Sequence, residues 1–385
     1  MRRLAYVCTD PGIPVWGAKG ASVHVQEMLR ALGRAIPGAR ITLLTPRPEG
    51  RPPADLEGIE VVALQPTPKG EPDARARSLL DANEDVTAAL GQLSPDLVYE
   101  RHALYSHAAT AWAETEGRPS VLEVNAPLLA EQAAHRHLAL PLEAEASVRR
   151  AMSAARLVAA VTPPVARHAR EMGAREAIVV PNGVDPARFP APAARPERPF
   201  TVGFLGSLKP WHGLSTLVDA FAALLAERPE AQLLVVGDGP ERAAVEARLD
   251  GLDALASTEI TGLVPASRVP AELARMDVGT APYGPIENFY FSPLKVYEYM
   301  AAALPVVASG AGHLAEVVEH DRTGLIVAPG EAPSLAAALS RLAAEPERGR
   351  TMGAAGRAHV LAHHTWDGIA ERVLARVLAT SGRAA

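Results

Sequence analysis

The chain has 385 residues, 48 % of them apolar, a net charge of −6 and a single cysteine. That length exceeds one ordinary hydrophobic core and suits two domains. One cysteine excludes an internal disulfide framework, the negative charge argues against nucleic acid as the main partner, and no run reaches the ~18 apolar residues of a membrane span.

The start, Met1 to Asp10, has two charges and then a short apolar run, which reads as a first strand rather than a secretory signal. With Cys8 as a small buried filler, a cytoplasmic protein is expected, with the inner face of a membrane as a further location. Short apolar strands then alternate with amphipathic helices, the signature of βαβ units and parallel sheets. In the first half the expected strands are Leu4–Thr9, Arg40–Thr45, Glu60–Leu64, Leu97–Glu100, Ser120–Val124, Leu157–Val161 and Ile178–Val180. Between the first two, Val25, Met28, Leu29 and Leu32 follow the helical period.

Phe189 to Pro199 contains four prolines and little that could pack, so it reads as a stiff linker. The alternation restarts with Thr201–Leu205, Gln232–Val236, Glu259–Thr261, Val278–Pro282, Pro305–Ser309 and Thr323–Val327, followed by helices over Ala332–Ala344, Arg348–His363 and Trp366–Ala379. The fold class expected is therefore α/β, with two doubly wound Rossmann-like domains, 1–190 and 191–365. Ligands of such sheets bind beyond the carboxyl ends of the strands, which makes a cleft between the two domains the default site.

Several segments could carry chemistry. Glycine-rich turns follow the first strand (Gly17-Ala-Lys-Gly20) and two strands of the second half (Gly206, Gly237-Asp-Gly239), where backbone N–H groups can approach phosphate. Gly206-Ser-Leu-Lys-Pro-Trp-His-Gly213 packs a cation, an indole and an imidazole into one turn. Lys209 there could meet phosphate as a point charge with Ser207 beside it; the plainer reading leaves Lys209 solvated and Trp211 capping the domain. Lys295 and Glu298 are spaced to share one helix face, a cation for phosphate and a carboxylate for paired hydroxyls, against the plainer reading of a surface ion pair.

Glu100-Arg-His102 and Glu123-Val-Asn125 each end a strand and so point at the ligand end of a parallel sheet. His135, His137, His363 and His364 lack zinc spacing, and no metal site is expected. The basic run Arg149, Arg150, Arg156, Arg167 and Arg170 reads as a solvated face, with docking to a membrane-linked acceptor as the alternative.

As an ordered set these segments resemble the family-4 glycosyltransferases over nearly the whole chain. The motifs are Gly17–His24, Val179–Phe189, Val202–Gly206, Val235–Pro240, Thr261-Gly262, Glu298–Ser309 and Thr323–Val327. The resemblance implies the GT-B fold and retaining transfer of a sugar from a nucleoside diphosphate sugar, UDP-linked as a first expectation, to the hydroxyl of a glycan, lipid-linked or small-molecule acceptor. No cofactor and no metal are expected, because the leaving diphosphate takes the acceptor proton on the reacting face. It further implies that the second domain binds the donor and the first the acceptor, that the last helix, 366–385, packs back on the first domain, and that the domains close about the linker.

Glu298 would bond the ribose, and Gly17 and Gly20 would meet the donor from the first domain. Ser207 and His212 stand where the family has Arg and Lys, Tyr290 where it has an earlier glutamate, and Asn125 where it has a histidine. These departures resemble a bacterial subtype. With Lys209, Lys295, Asn125 and Arg101 as catalytic residues, the donor set expected is Glu298, Gly17, Gly20, Ser207, His212, Tyr290, Ser292 and Leu294. Two alternatives stay open: a sugar-nucleotide epimerase on the same fold, and a non-catalytic nucleotide-sugar-binding protein.

Overall fold

The computed structural model describes residues 1–135, 137–190, 198–287 and 289–379. In chain order the first half runs β1 (Arg3–Cys8), α1 (Gly20–Ala35), β2 (Arg40–Thr45), β3 (Glu60–Ala63), α2 (Pro72–Leu93), β4 (Leu97–Arg101) and α3 (Ala108–Thr115). It continues with β5 (Ser120–Val124), α4 (Leu128–His135), α5 (Pro141–Ala154), β6 (Leu157–Ala160), α6 (Pro163–Glu171) and β7 (Ala177–Val179). The second half runs β8 (Thr201–Leu205), α7 (Leu214–Glu227), β9 (Gln232–Val236), α8 (Arg242–Asp250), β10 (Thr258–Ile260), α9 (Val269–Leu273) and β11 (Val278–Ala281). Then follow α10 (Leu294–Ala301), β12 (Val306–Ser309), α11 (Leu314–Val317), β13 (Gly324–Val327), α12 (Ala332–Ala344), α13 (Pro346–His363) and α14 (Trp366–Ala379). Every strand expected from sequence occurs, its ends shifted by no more than a residue or so.

Contacts divide the chain into two compact units, Met1–Pro181 with the helix from Trp366, and Asn182–Thr365. The first is built on a seven-stranded sheet in the order β3-β2-β1-β4-β5-β6-β7, the second on a six-stranded sheet in the order β10-β9-β8-β11-β12-β13. All pairings within both sheets are parallel. Strand order reverses between β1 and β4 and again between β8 and β11. Those switch points are where doubly wound sheets leave a crevice at their carboxyl ends.

The strands are apolar along their length because helices cover both faces. In the first sheet Ala5, Val7 and Val98 face the side covered by α2 and α3, where Val86, Leu90, Ala108 and Ala109 complete the cluster. Leu4, Tyr6, Cys8, Tyr99 and Arg101 alternate to the opposite face. In the second unit α7 contributes Leu217, Val218, Phe221 and Leu224, and α12 Leu335, Leu339 and Leu342, to one core.

The division falls at Pro181/Asn182 and not at 190, because Val184 and Phe189 insert into the core of the second unit beside Leu205, Val296 and Val360. Phe189 is 1 % exposed, its carbonyl accepts from Arg357 Nη2 at 2.8 Å, and Val184 N–H donates to His364 O at 2.8 Å. The expected linker at 189–199 therefore begins inside the second unit, and its residues 191–197 lie outside those described, as do 380–385 of the last helix. Helix α14 packs along α1 and over β5 and β6 within the first unit. Its Trp366 is 2 % exposed, with the indole edge-on to His24 at a centroid distance of 4.7 Å. Among the described residues, no helix is long and apolar enough to cross a membrane.

Candidate functional site

In the second unit, the turn after β8 and helix α10 supply the polar groups at the β8/β11 switch point. The turn is locked by close backbone packing. Gly213 has φ +66°, and a Cβ there would lie 1.7 Å from the Pro282 carbonyl oxygen. Gly237, with φ +144°, lets the β9 turn approach Gly206, where a Cβ would lie 2.0 Å from the Gly206 oxygen. Only glycine meets both demands, a left-handed backbone and contact with another main chain.

Within that frame Ser207 is exposed and Lys209 half-buried, with Lys209 Nζ 5.8 Å from the Trp211 ring centre. His212 does not stand as a cation. Burial, then Lys295 and Lys209, bring it down to about 3, against a hydrogen bond to the turn that works the other way. Its Nδ1 lies 2.5 Å from Ser207 O, so a neutral ring carries its proton there and donates to the carbonyl. The remaining Nε2 can only accept, which suits a hydroxyl and not a phosphate oxygen. His212, expected in the donor set at a position where the family has a cation, thus brings no positive charge to the turn, and its ring is tied to the Ser207 carbonyl.

Lys295 is the cation that the second unit does place there. It is 7 % exposed, and Nζ has no hydrogen-bond partner among the described residues. Nζ stands 4.0 Å from the centre of the Phe204 ring and 5.5 Å from that of Tyr283. Burial brings its amine down to about 7. Relative to water, the charged form is disfavoured by about 5 kcal/mol, and ring contacts worth about 0.5–2 kcal/mol do not offset that.

Glu298, one helical turn on, does not pair with Lys295. It faces Arg188, whose Nη2 is 3.6 Å from Oε1. Arg188 also donates to Ala266 O at 2.8 Å. Ser292 is occupied by the chain itself: its Oγ accepts from Asn182 N at 3.3 Å and meets the Tyr297 hydroxyl at 3.3 Å, while its carbonyl accepts from Asn182 Nδ2. The structure makes Ser292 a tie between the Asn182–Phe189 segment and α10 rather than a ligand group, since a buried hydroxyl needs its partners. Tyr290 lies against Phe291 at 4.4 Å, and Leu294 opens α10, half-buried.

The first unit carries the other expected residues. Gly17 N–H donates to Pro14 O at 2.9 Å and its carbonyl accepts from Gln26 Nε2 at 2.9 Å, so Gly17 shapes the loop and has no N–H to offer a ligand. Gly20 begins α1, whose first-turn N–H groups have no acceptor within the helix.

Arg101 and Asn125 converge on Glu123. Arg101 Nη1 and Asn125 Nδ2 each donate to Glu123 Oε1 at 2.6 Å, and the Tyr99 hydroxyl donates to Oε2 at 2.9 Å. His24 Nε2 lies 3.0 Å from the same Oε1. Burial alone would raise the Glu123 carboxyl, but His24, Arg101 and Asn125 overcome it and bring it down to about 2. Arg101 is 8 % exposed. Its expected catalytic role is corrected to that of an internal counter-ion, because a buried guanidinium is retained only with its carboxylate. Asn125 keeps one edge on a crevice that His24, Tyr99, Pro181 and Trp366 also line.

Glu100 points the other way, accepting from Ser106 Oγ at 2.9 Å and Thr110 N at 3.1 Å, and burial pushes its carboxyl up to about 7. Two arginines of the expected basic face are ion-paired, Arg149 with Glu145 at 2.8 Å and Arg150 with Glu114 at 2.7 Å. Among the described residues, no group of three or more His, Cys, Asp or Glu side chains is placed to hold a metal ion.

Sequence reasoning missed Arg188, Asn182, Phe204, Tyr283 and the hub role of Glu123. Only the Val179–Phe189 motif carried a signal for the first two, and it said nothing of what they touch.

Comparisons with known proteins cover both units. Residues 18–188 match the family described as Glycosyltransferase Family 4, and residues 199–345 that described as Glycosyl transferases group 1. Over 207 residues the chain is 33 % identical to a GDP-mannose-dependent alpha-(1-6)-phosphatidylinositol monomannoside mannosyltransferase of Mycobacterium tuberculosis, covering 50 % of this chain and 54 % of that one. A 2-deoxystreptamine glucosyltransferase of Streptomyces kanamyceticus is 33 % identical over 192 residues, covering 46 % and 48 %. The chain thus spans about half the length of these curated relatives.

Among solved structures, sucrose-phosphate synthase from Thermosynechococcus elongatus superposes with a TM-score of 0.78 at 21 % identity over 99 % of this chain and 100 % of that one. Anabaena Alr3699/HepE, in complex with UDP and glucose, does so with 0.72 at 19 % over 99 % and 100 %. The architecture is that of the GT-B fold.

Proposed function

We propose, for a chain that belongs to the family-4 glycosyltransferases, that it moves a sugar from a nucleoside diphosphate sugar to an acceptor hydroxyl with retention at the anomeric carbon. The observation that carries this reading is one helix, α10, bringing Lys295 and Glu298 to the switch point beside the glycine-locked β8 turn. A cation for a diphosphate and a carboxylate for a ribose, at the carboxyl end of a parallel sheet, is the chemistry a nucleoside diphosphate needs. The second unit holds the donor in this scheme and the first holds the acceptor.

In the reaction the bond from the anomeric carbon to the β-phosphate oxygen breaks as the acceptor oxygen bonds to the same face. The departing phosphate oxygen takes the acceptor proton, so no side chain has to act as a strong base. Charge then grows on the leaving diphosphate, and fixed donors aimed at such charge contribute more than any other effect in most enzymes. On this reading Lys209, Lys295 and Ser207 of the second unit are the donors that meet that charge. Glu298, oriented by Arg188, holds the ribose.

A thermal-shift screen with UDP-, GDP-, ADP- and dTDP-sugars tests the donor, starting from UDP as the first expectation and from GDP because a curated relative is a GDP-mannose-dependent protein. Proton NMR of the product reads the anomeric configuration. Inversion would overturn the retaining step. A changed configuration at a sugar carbon of the nucleotide sugar, with no acceptor present and no hydrolysis to nucleoside diphosphate and free sugar, would indicate an epimerase, and tight binding without turnover a non-catalytic protein.

A further inference from the structure

Lys295 is an ammonium site with no anion built beside it among the described residues. Tyr283 from the β11–α10 loop and, from the β8 turn, His212 with Lys209 beyond it are the titratable groups that face it. The neighbouring carboxylates are turned elsewhere, Glu298 to Arg188 and Asp238 to Arg242 at 3.6 Å. Beneath Nζ is the Phe204 ring, and beside it the half-exposed Gly206, where a Cβ would stand 3.1 Å from Nζ. The glycine leaves that space open next to an amine that the fold has otherwise enclosed. None of these neighbours holds the proton on Nζ until an anion arrives.

We propose that the diphosphate of the donor binds with uptake of a proton from solvent by the Lys295 amine, so that the ligand itself completes the cation that holds it. The inference rests on the donor reading above. No bond of the donor changes in this step: the Nζ lone pair takes the proton, and the ammonium then donates to phosphate oxygens. A guanidinium at this position would be charged at all working pH values, whereas a buried lysine makes affinity depend on pH and limits the unbalanced charge in the empty site.

The test is calorimetric titration of the whole protein with UDP and with GDP at pH 8, in Tris, Tricine and HEPES, whose ionisation enthalpies differ. At that pH both nucleotides are already fully ionised. With the free amine at about 7, the slope of binding enthalpy against buffer enthalpy is expected to give uptake of about 0.9 proton per nucleotide. In Lys295→Met the uptake is expected to vanish and affinity to fall at least about tenfold. In Lys295→Arg binding is expected without uptake.

Nucleotide binding to the wild-type protein with buffer-independent enthalpy would overturn the inference and leave the donor reading standing. Uptake that persists in Lys295→Met would overturn it in favour of another group. Failure of UDP, GDP, ADP and dTDP all to bind would overturn the donor reading and this inference with it.

Discussion

Glu298 lies opposite Arg188, 3.6 Å from Oε1 to Nη2, with both side chains mostly out of solvent. The guanidinium faces the carboxylate from within the same unit before any ligand is present. On the proposed donor reading, removal of the carboxylate takes away charge-assisted hydrogen bonding to the ribose worth about 1.5–3 kcal/mol. Glu298→Ala is expected to lower kcat/KM by about 10- to 100-fold. Arg188→Ala is expected to act in the same direction but less, mainly through KM. Steady-state kinetics on the first accepted donor decides, and wild-type values for Glu298→Ala would remove α10 from the site.

Lys295 makes the folded protein pH-sensitive in a definite direction. Its amine is near 7 when folded against 10.5 for a lysine in water, so between those values the unfolded chain binds the extra proton and stability rises with pH. Lys295→Met abolishes that dependence. Its stability advantage over the wild type is expected to be largest below pH 7 and to shrink by about 1.4 kcal/mol per pH unit up to the unfolded value. Urea midpoints from pH 6 to 10 measure it. A constant difference would mean that the amine stays charged when buried.

Gly213→Ala places a Cβ against the Pro282 carbonyl and forces a left-handed backbone on alanine. The strained conformation costs about 1–3 kcal/mol, and relief of the clash displaces the β8 turn. Lower stability and loss of the nucleotide-induced shift in Tm are expected together. A full shift in a destabilised variant would place the nucleotide elsewhere.

The hub in the first unit predicts non-additivity. Glu123→Gln leaves Arg101 buried and unpaired and is expected to cost about 3–5 kcal/mol. Arg101→Met with Glu123→Leu is expected to cost less than the two single changes summed. Because the Glu123 carboxyl is lowered to about 2 from 4.5, its contribution is complete above pH 4.5 and is lost as pH falls through about 2. Chemical denaturation across that range reads both effects, and additive losses would mean that the pair is not coupled.

The architecture was legible because strand alternation is a local property. A run such as Leu233–Val236 is apolar on both faces, and a helix such as α7 repeats Leu214, Leu217, Val218 and Phe221 at the helical period. Glu298 and Lys295 were found the same way, since their spacing on one helix is short-range. Their partners were not: Arg188 precedes Glu298 by more than a hundred residues, as Asn182 does Ser292. The i, i+3 spacing suggested a Lys295–Glu298 ion pair, yet the two side chains leave the helix toward different neighbours.

Two parallel-sheet units, their strands and the helix that carries Lys295 and Glu298 could be read from the chain alone, because periodicity and turn chemistry are written in adjacent residues. Tertiary structure alone decided that Val184 and Phe189 belong to the second core, that Arg101 is the counter-ion of Glu123, that His212 is neutral, and that Lys295 lies against Phe204 without a counter-charge among the described residues. Burial and partner choice set the charge state of each of these groups, and both depend on segments that meet only when the chain has folded.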